Sequence, residues 1–313
     1  MPAAGGHFAP CAAQWVAAMS DAIEQFRNAL ADVGVILAAG SQIIADGQLH
    51  RARAADDKAG ALSIWYNFHP DAPCSGVAGN WRTGARLTWC AKRMQSLTTA
   101  ERETLRLRIE QDRARAQAET ARRHKEAAAR ALRIWSQAEP ASPGHPYLTR
   151  KGVAVGIARQ RGDMLILPVT GFDGALRGVQ AISPTGEKRF TKGMQKQGAF
   201  IRTDGMPSLD ARPLWIAEGW ATACTLSALQ PNVCTIAACD CGNLASVATE
   251  ARRRWPALDI VVCPDFDAVG RQKGQEAAIA ARARILPPPA TVPPHCTDWN
   301  DIQAAKRQGV PSC

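Results

Sequence analysis

The chain has 10 cysteines but no Cys-x-x-Cys pair. Structural zinc sites usually rest on such knuckles, and small secreted scaffolds on regularly spaced disulfide partners. Here the thiols are scattered from Cys11 to Cys313, and Cys234 and Cys263 lie inside apolar runs where cysteine packs as a small hydrophobe. That usage fits a cytoplasmic protein with reduced thiols. No run of 18 apolar residues exists, which excludes a simple helical membrane span. Residues 1–18 lack a basic segment ahead of an apolar stretch and do not read as a secretory signal. Met19-Ser20-Asp21 reads as a natural start, leaving residues 1–18 as a disordered or non-native extension. A Gly-x-x-x-x-Gly-Lys-Ser/Thr loop is missing, so no P-loop motor is expected within this sequence. Acidic residues are in the minority, 28 against 38 Lys and Arg, giving a net charge of +10. A balance this basic favours a polyanionic partner, nucleic acid first.

Apolar spacing predicts an amphipathic helix over residues 20–38. Residues 40–92 alternate short apolar runs with turn signals such as Asp46-Gly47 and Thr83-Gly84, the pattern of a small antiparallel β module. Trp65, Trp81 and Trp89 in it suit either its core or the stacking of single-stranded bases. Residues 98–137 form one helical pattern opened by a capping box, Thr98 with Glu101. Its stretch 101–135 carries ten Arg or Lys against six Asp or Glu. A helix polar nearly all round is a solvated connector or, functionally, a basic rail along nucleic acid. The break at 139–150 precedes two strand-like runs, 164–169 and 176–183, and a basic cluster of Lys188, Arg189, Lys192 and Lys196. From residue 213 strands and helices alternate, the mark of a parallel sheet covered by helices. The expected organisation is therefore an extension (1–18), a β-rich module (19–94), a basic helical linker (95–138), an α+β region (139–208) and a parallel α/β domain (209–313).

Two strands of that last domain end in carboxylates. Glu218 follows Leu214-Trp215-Ile216-Ala217, and Asp265 and Asp267 follow Val261-Val262-Cys263-Pro264; each motif leads through a Gly into a helix. Parallel sheets place their ligands at the C-terminal strand ends. Three acids gathered there repel one another unless a cation joins them, and hard oxygen donors suit Mg²⁺ or Mn²⁺ and phosphate chemistry.

The order strand–Glu–Gly–helix, then strand–Asp-x-Asp–helix, resembles the Toprim domain of bacterial-type primases, type IA and type II topoisomerases and some nucleases. Ala237-Ala238-Cys239-Asp240-Cys241-Gly242-Asn243-Leu244 falls at its second strand-to-helix loop, and Thr297-Asp298-Trp299-Asn300-Asp301 resembles a late acidic element of plasmid and phage primases. Upstream, His145-Pro146-Tyr147-Leu148-Thr149-Arg150-Lys151-Gly152 resembles the segment that opens the primase polymerase core. A topoisomerase needs a tyrosine nucleophile, and the chain has only Tyr66 and Tyr147, both in segments better explained otherwise. The resemblance implies a Toprim primase of the plasmid, phage or mobile-element type, making short primers on single-stranded DNA from nucleoside triphosphates, with a separate helicase or transfer protein as partner. It implies Glu218, Asp265 and Asp267 as metal-binding catalytic acids, with Asp298 and Asp301 as further metal candidates or helix caps. Lys188, Arg189, Lys192, Arg150 and Asn243 become candidates for template or nucleotide contact, and Asp240 for a helix cap or loop role. The family's N-terminal module often binds zinc; with only His50, His69, Cys74 and Cys90 as candidates, a metal-free module is expected here. A Toprim nuclease and a catalytically inactive nucleic-acid-binding accessory remain the competing readings.

Overall fold

The computed structural model describes residues 12–204 and 212–307; of the expected extension at 1–18, residues 1–11 lie outside the described residues, whereas 12–18 are helical and belong to the first helix. The chain divides into two compact units, Met1–Arg115 and Ala116–Cys313.

In the first unit helix α1 spans Ala12–Asp32. It stops earlier than the apolar spacing predicts. Gly34, at φ 76°, donates to the Ala31 carbonyl, and Val35 to that of Leu30, which closes the helix with a left-handed cap. Strands β1 (His50–Ala52), β2 (Ile64–His69), β3 (Ser75–Asn80) and β4 (Arg86–Cys90) form an antiparallel sheet in chain order. Alternate residues of β2 (Ile64, Tyr66 and Phe68) are buried together with Phe26 and Leu30 of α1. Trp89 packs here too, its ring 5.5 Å from Phe26 and 5.8 Å from Phe68. Asp57 fixes the connection between β1 and β2 by accepting from the Ala54 and Ser63 amides and the Ser63 hydroxyl. Three of the four zinc candidates have other partners: His50 bonds Asp46, His69 bonds Asp112, and Cys74 donates to the Pro70 carbonyl.

The unit boundary falls within helix α2, Thr99–Ser136. The capping box forms as the sequence indicates: Glu101 N–H donates to Thr98 Oγ1 and Thr98 N–H to Glu101 Oε2. Arg106 bridges Glu103 and Glu110, and Arg122 bridges Glu119 and Glu126. Such pairs support a polar helix by a few tenths of a kcal/mol each, roughly.

The second unit opens with β5 (Glu139–Pro140) and the short helix α3 (Pro146–Lys151), whose first turn is capped by His145 Nδ1 accepting from Tyr147 N–H. Strands β6 (Arg159–Arg161), β7 (Met164–Thr170), β8 (Leu176–Ile182) and β9 (Lys188–Phe190) join β5 in an antiparallel sheet in chain order. A second sheet then follows. It contains β10 (Ile201–Arg202), β11 (Leu214–Ala217), β12 (Cys234–Ala237), β13 (Ile260–Cys263) and β14 (Arg284–Ile285), in the order β10-β12-β11-β13-β14. All pairs are parallel except β10 with β12. The four-residue strands β11, β12 and β13 are apolar or β-branched nearly throughout, as strands covered on both faces require. Helices α5 (Leu244–Arg254) and α6 (Ala268–Ala281) pack with Ile216, Ile236 and Val262, whereas α4 (Trp220–Leu229) packs with Ala217, Ala237 and Cys263. Helix α7, Trp299–Arg307, closes the described chain. No helix among the described residues is long and apolar enough to cross a membrane.

One glycine of the first sheet sets a stability prediction. A Cβ at Gly79 would stand 2.7 Å from the Ala85 carbonyl oxygen and 2.7 Å from the Trp65 ring. Gly79→Ala should therefore destabilise the protein by about 1–3 kcal/mol, read as a lowered urea midpoint with unchanged slope.

Candidate active site

β11 is the central strand from which the chain steps to β12 on one side and β13 on the other, so the sheet reverses its strand order there. That is where open α/β sheets bind ligands. The register sets Ala217 of β11 level with Ala237 of β12 and Cys263 of β13. Glu218, Asp240 and Asp265 follow within three residues of these positions, so one edge of the sheet gathers acids from three strands.

The Asp265 carboxyl is pushed up to about 8, first by burial and then by the neighbouring charges of Glu218, Asp298 and Asp267. Its Oδ1 is buried and accepts no hydrogen bond from the described residues. Glu218 is also raised, first by burial and then by Asp267 and Asp240, while the Cys241 backbone N–H favours its charged form. Asp267 caps α6 by accepting from Gly270 N–H at 2.6 Å. Gly270 is required at that distance, because a Cβ there would meet the Asp265 carbonyl oxygen at 2.8 Å. Lys188 Nζ lies beside Gly219, and its charge lowers both Glu218 and Asp265.

Several expected residues have other work. The buried amide of Asn243 donates to the carbonyls of Lys196, Ala199 and Ala238 and accepts from Gly198 N–H. It staples the basic loop to the end of β12. Asp240 precedes a short 3₁₀ turn but makes no side-chain cap; it pairs with Lys196 instead. Cys239 just before it is held at φ 78°, a left-handed conformation costly for a residue with a Cβ. Arg189 pairs with Glu187 at the surface, Arg150 lies over the Tyr147 ring and donates to the Pro184 carbonyl, and Lys192 offers its carbonyl to Arg130. Asp298 caps α7 through Asp301 N–H. Asp301 accepts from Lys151 Nζ with one oxygen and from Thr297 N–H and Oγ1 with the other. The Lys196–Asp240 contact had a signal in the sequence, a basic cluster and an acid at a strand end, but nothing to join residues 44 apart.

The donor set fits a hard divalent ion. Oxygens are its only atoms, they repel one another, and one of them is buried without a donor. Among the described residues no three His, Cys, Asp or Glu side chains close into a metal cage. Mg²⁺ does not need one: it keeps several waters and takes one or two carboxylates together with substrate phosphates.

A separate surface lies on the first unit. Arg51, Trp65, Gly79 and Arg86 stand in one row across the sheet, on the face opposite the α1 core. The Trp65 ring lies over Gly79, Trp81 is 57% exposed with its ring 5.6 Å from Trp65, and the Arg51 guanidinium sits 5.3 Å over Trp81. Among the described residues neither Arg51 nor Arg86 has a carboxylate partner. The three tryptophans thus divide, with Trp89 in the core and Trp65 and Trp81 outside it.

Residues 213–308, which hold the parallel strands and the strand-end acids, match the family model of the Toprim domain. The similarity extends well beyond that domain. A DNA primase TraC from Escherichia coli is 33% identical over 279 residues, 85% of this chain and 26% of that protein. A second DNA primase TraC from Escherichia coli is 30% identical over 281 residues, 85% of this chain and 19% of that protein. The chain therefore spans about a quarter or less of the length of these relatives. Among solved structures, the primase fragment of the bacteriophage T7 primase-helicase aligns with 52% of this chain and 70% of its own, at 16% identity and a TM-score of 0.40.

The raised Asp265 makes a pH prediction. Between about pH 4 and pH 8 the unfolded chain has lost a proton that the folded, metal-free protein still holds, so folding stability falls as pH rises through this window. Asp265→Asn should flatten that slope and gain about 2 kcal/mol at pH 8 in chelator, measured by urea unfolding at pH 5 and pH 8.

Proposed function

We propose that the chain is a primase-like nucleotidyltransferase. In this reading it makes short oligonucleotides on single-stranded DNA from nucleoside triphosphates with Mg²⁺ or Mn²⁺, in the replication or transfer of a mobile element. The observation that carries it is the set Glu218, Asp265 and Asp267 around the central strand β11, in a chain similar over 85% of its length to DNA primases. A divalent ion held by Asp265 and Asp267 would supply charge neutralisation for the triphosphate. Glu218, with its carboxyl raised, is suited to accept the proton of an attacking 3′-hydroxyl. Lys188 supplies positive charge at the same edge, and Lys196, stapled there through Asn243, adds a second cation that a phosphate could draw from Asp240. Phosphoryl transfer asks for such positioning and charge more than for covalent help. The exposed Trp81 beside the half-buried Trp65, with Arg51 and Arg86, suits stacking of template bases and contact with phosphates. A cytoplasmic location and a separate helicase or transfer protein complete the reading.

Incubation of the protein with single-stranded DNA, ribonucleotides and Mg²⁺ or Mn²⁺ should yield short oligoribonucleotides. Asp265→Ala and Asp267→Ala should lower the yield at least about a hundredfold. Degraded template in place of product would assign a nuclease. DNA that is bound but unchanged by wild type and variants alike would assign a binding accessory.

For the aromatic surface, Trp81→Ala should weaken single-stranded DNA binding about tenfold, as loss of one stacked base does. Arg51→Ala and Arg86→Ala should each reduce the salt dependence of binding by about one ion. Fluorescence anisotropy across a salt series measures both, and an unchanged affinity and slope would remove this surface from the binding site.

A further inference from the structure

Phe266, the residue between Asp265 and Asp267, is held by groups from outside its own loop. Its N–H donates to the Thr297 carbonyl at 2.7 Å, and its carbonyl accepts from Arg271 Nη1 at 2.6 Å. Its ring is 7% exposed and meets the Trp299 ring edge-on, with centroids 5.7 Å apart at 75°. Cys296, Ile302 and Ala305 complete that small cluster. The segment that supplies Thr297 and Trp299 is itself tied to distant elements. Asn300 is 0% exposed, and its amide donates to the Lys151 carbonyl at the end of α3 and to Thr225 Oγ1 of α4. Asp301 ties Thr297 to Lys151, and Asp298 caps the helix that follows.

We propose that the turn Thr297–Asp301 is a brace that fixes the backbone between the two aspartates, with Trp299 and Asn300 as positioning residues for nucleotidyl transfer. The physical need is plain. Asp265 and Asp267 repel each other once Asp265 gives up its proton, Asp265 is buried, and neither strand β13 nor helix α6 includes Phe266. The dihedrals of Phe266, the single residue between them, set the relative aim of the two carboxylates. The brace supplies a hydrogen bond and a ring contact at that residue and carries the load through Asn300 to α3 and α4. An error of about 1 Å in such an alignment can cost a hundredfold in rate. The catalytic consequence rests on the nucleotidyl-transfer reading; the restraint on Phe266 does not.

Hydrogen exchange on the full chain reads the restraint directly. Trp299→Ala and Asn300→Ala should speed exchange of the Phe266 amide at least about tenfold, with Leu214–Ala217 and Cys234–Ala237 unchanged. Trp299→Phe should restore protection. Because Asn300 is buried and its variant could unfold, Asp301→Asn, at a partly exposed pair, provides the same test more gently. In the same variants Mn²⁺ binding, followed by the electron paramagnetic resonance signal of the free ion, should weaken about tenfold. Unchanged Phe266 exchange in folded variants overturns the brace, as does faster exchange across the whole sheet at once. Wild-type protein that makes no oligonucleotide, yet shows the local exchange effect, overturns the nucleotidyl-transfer reading and leaves the brace standing.

Discussion

Repulsion among carboxylates brought to one edge of a sheet is the constraint on which the second unit turns. Glu218, Asp265 and Asp267 follow strands so short and apolar that the acids must stand just beyond the core, and Asp240 and Asp298 add charge of the same sign. Burial makes the repulsion expensive, since the medium around Asp265 screens poorly. The surroundings of these acids are the compensation: the Cys241 amide on Glu218, the Gly270 amide on Asp267, the ammonium of Lys188 near both strands, and Lys196 on Asp240. Among the described residues, Asp265 Oδ1 is the oxygen of these acids that is buried without a donor.

Much of this was legible in the sequence, and for identifiable reasons. The alternation of four-residue apolar runs with helical stretches read directly as a parallel sheet, because strands covered on both faces have no polar option. The acids after β11 and β13 were conspicuous because a charge directly after such a run cannot lie in the core. The capping box at Thr98 and Glu101 is local, and it formed as read. Long-range partnerships were not legible. Asn243 reads as a polar residue at a loop, suited to a nucleotide, yet its amide is consumed by three carbonyls from residues 196–238. Asp301 reads as one more acid of a late acidic motif, yet both its oxygens are committed to Thr297 and Lys151. Helix α1 ends before residue 38 because Gly34 turns left-handed, a local signal that apolar spacing alone overrides.

The first unit solves a different problem with the same economy of parts. A four-stranded sheet this small has one face to bury, and α1 covers it with Phe26 and Leu30 against alternate residues of β2. The period of two that puts Tyr66 and Phe68 inside puts Trp65 on the other face, where Trp81 packs against it from the β3–β4 turn. Composition could not divide Trp65 from Trp89; strand register does.

The doubly held backbone of Phe266 has a consequence for ion choice. When both its N–H and its carbonyl are engaged, the two aspartates flanking it lose independent movement, and the gap between their carboxylates becomes a property of the fold. A ligand frame with little give suits a small ion that demands octahedral geometry and penalises a larger ion that prefers seven or eight loose oxygens. Discrimination between magnesium and calcium would then come from stiffness in the backbone beside the ligands, in a phenylalanine that touches neither ion.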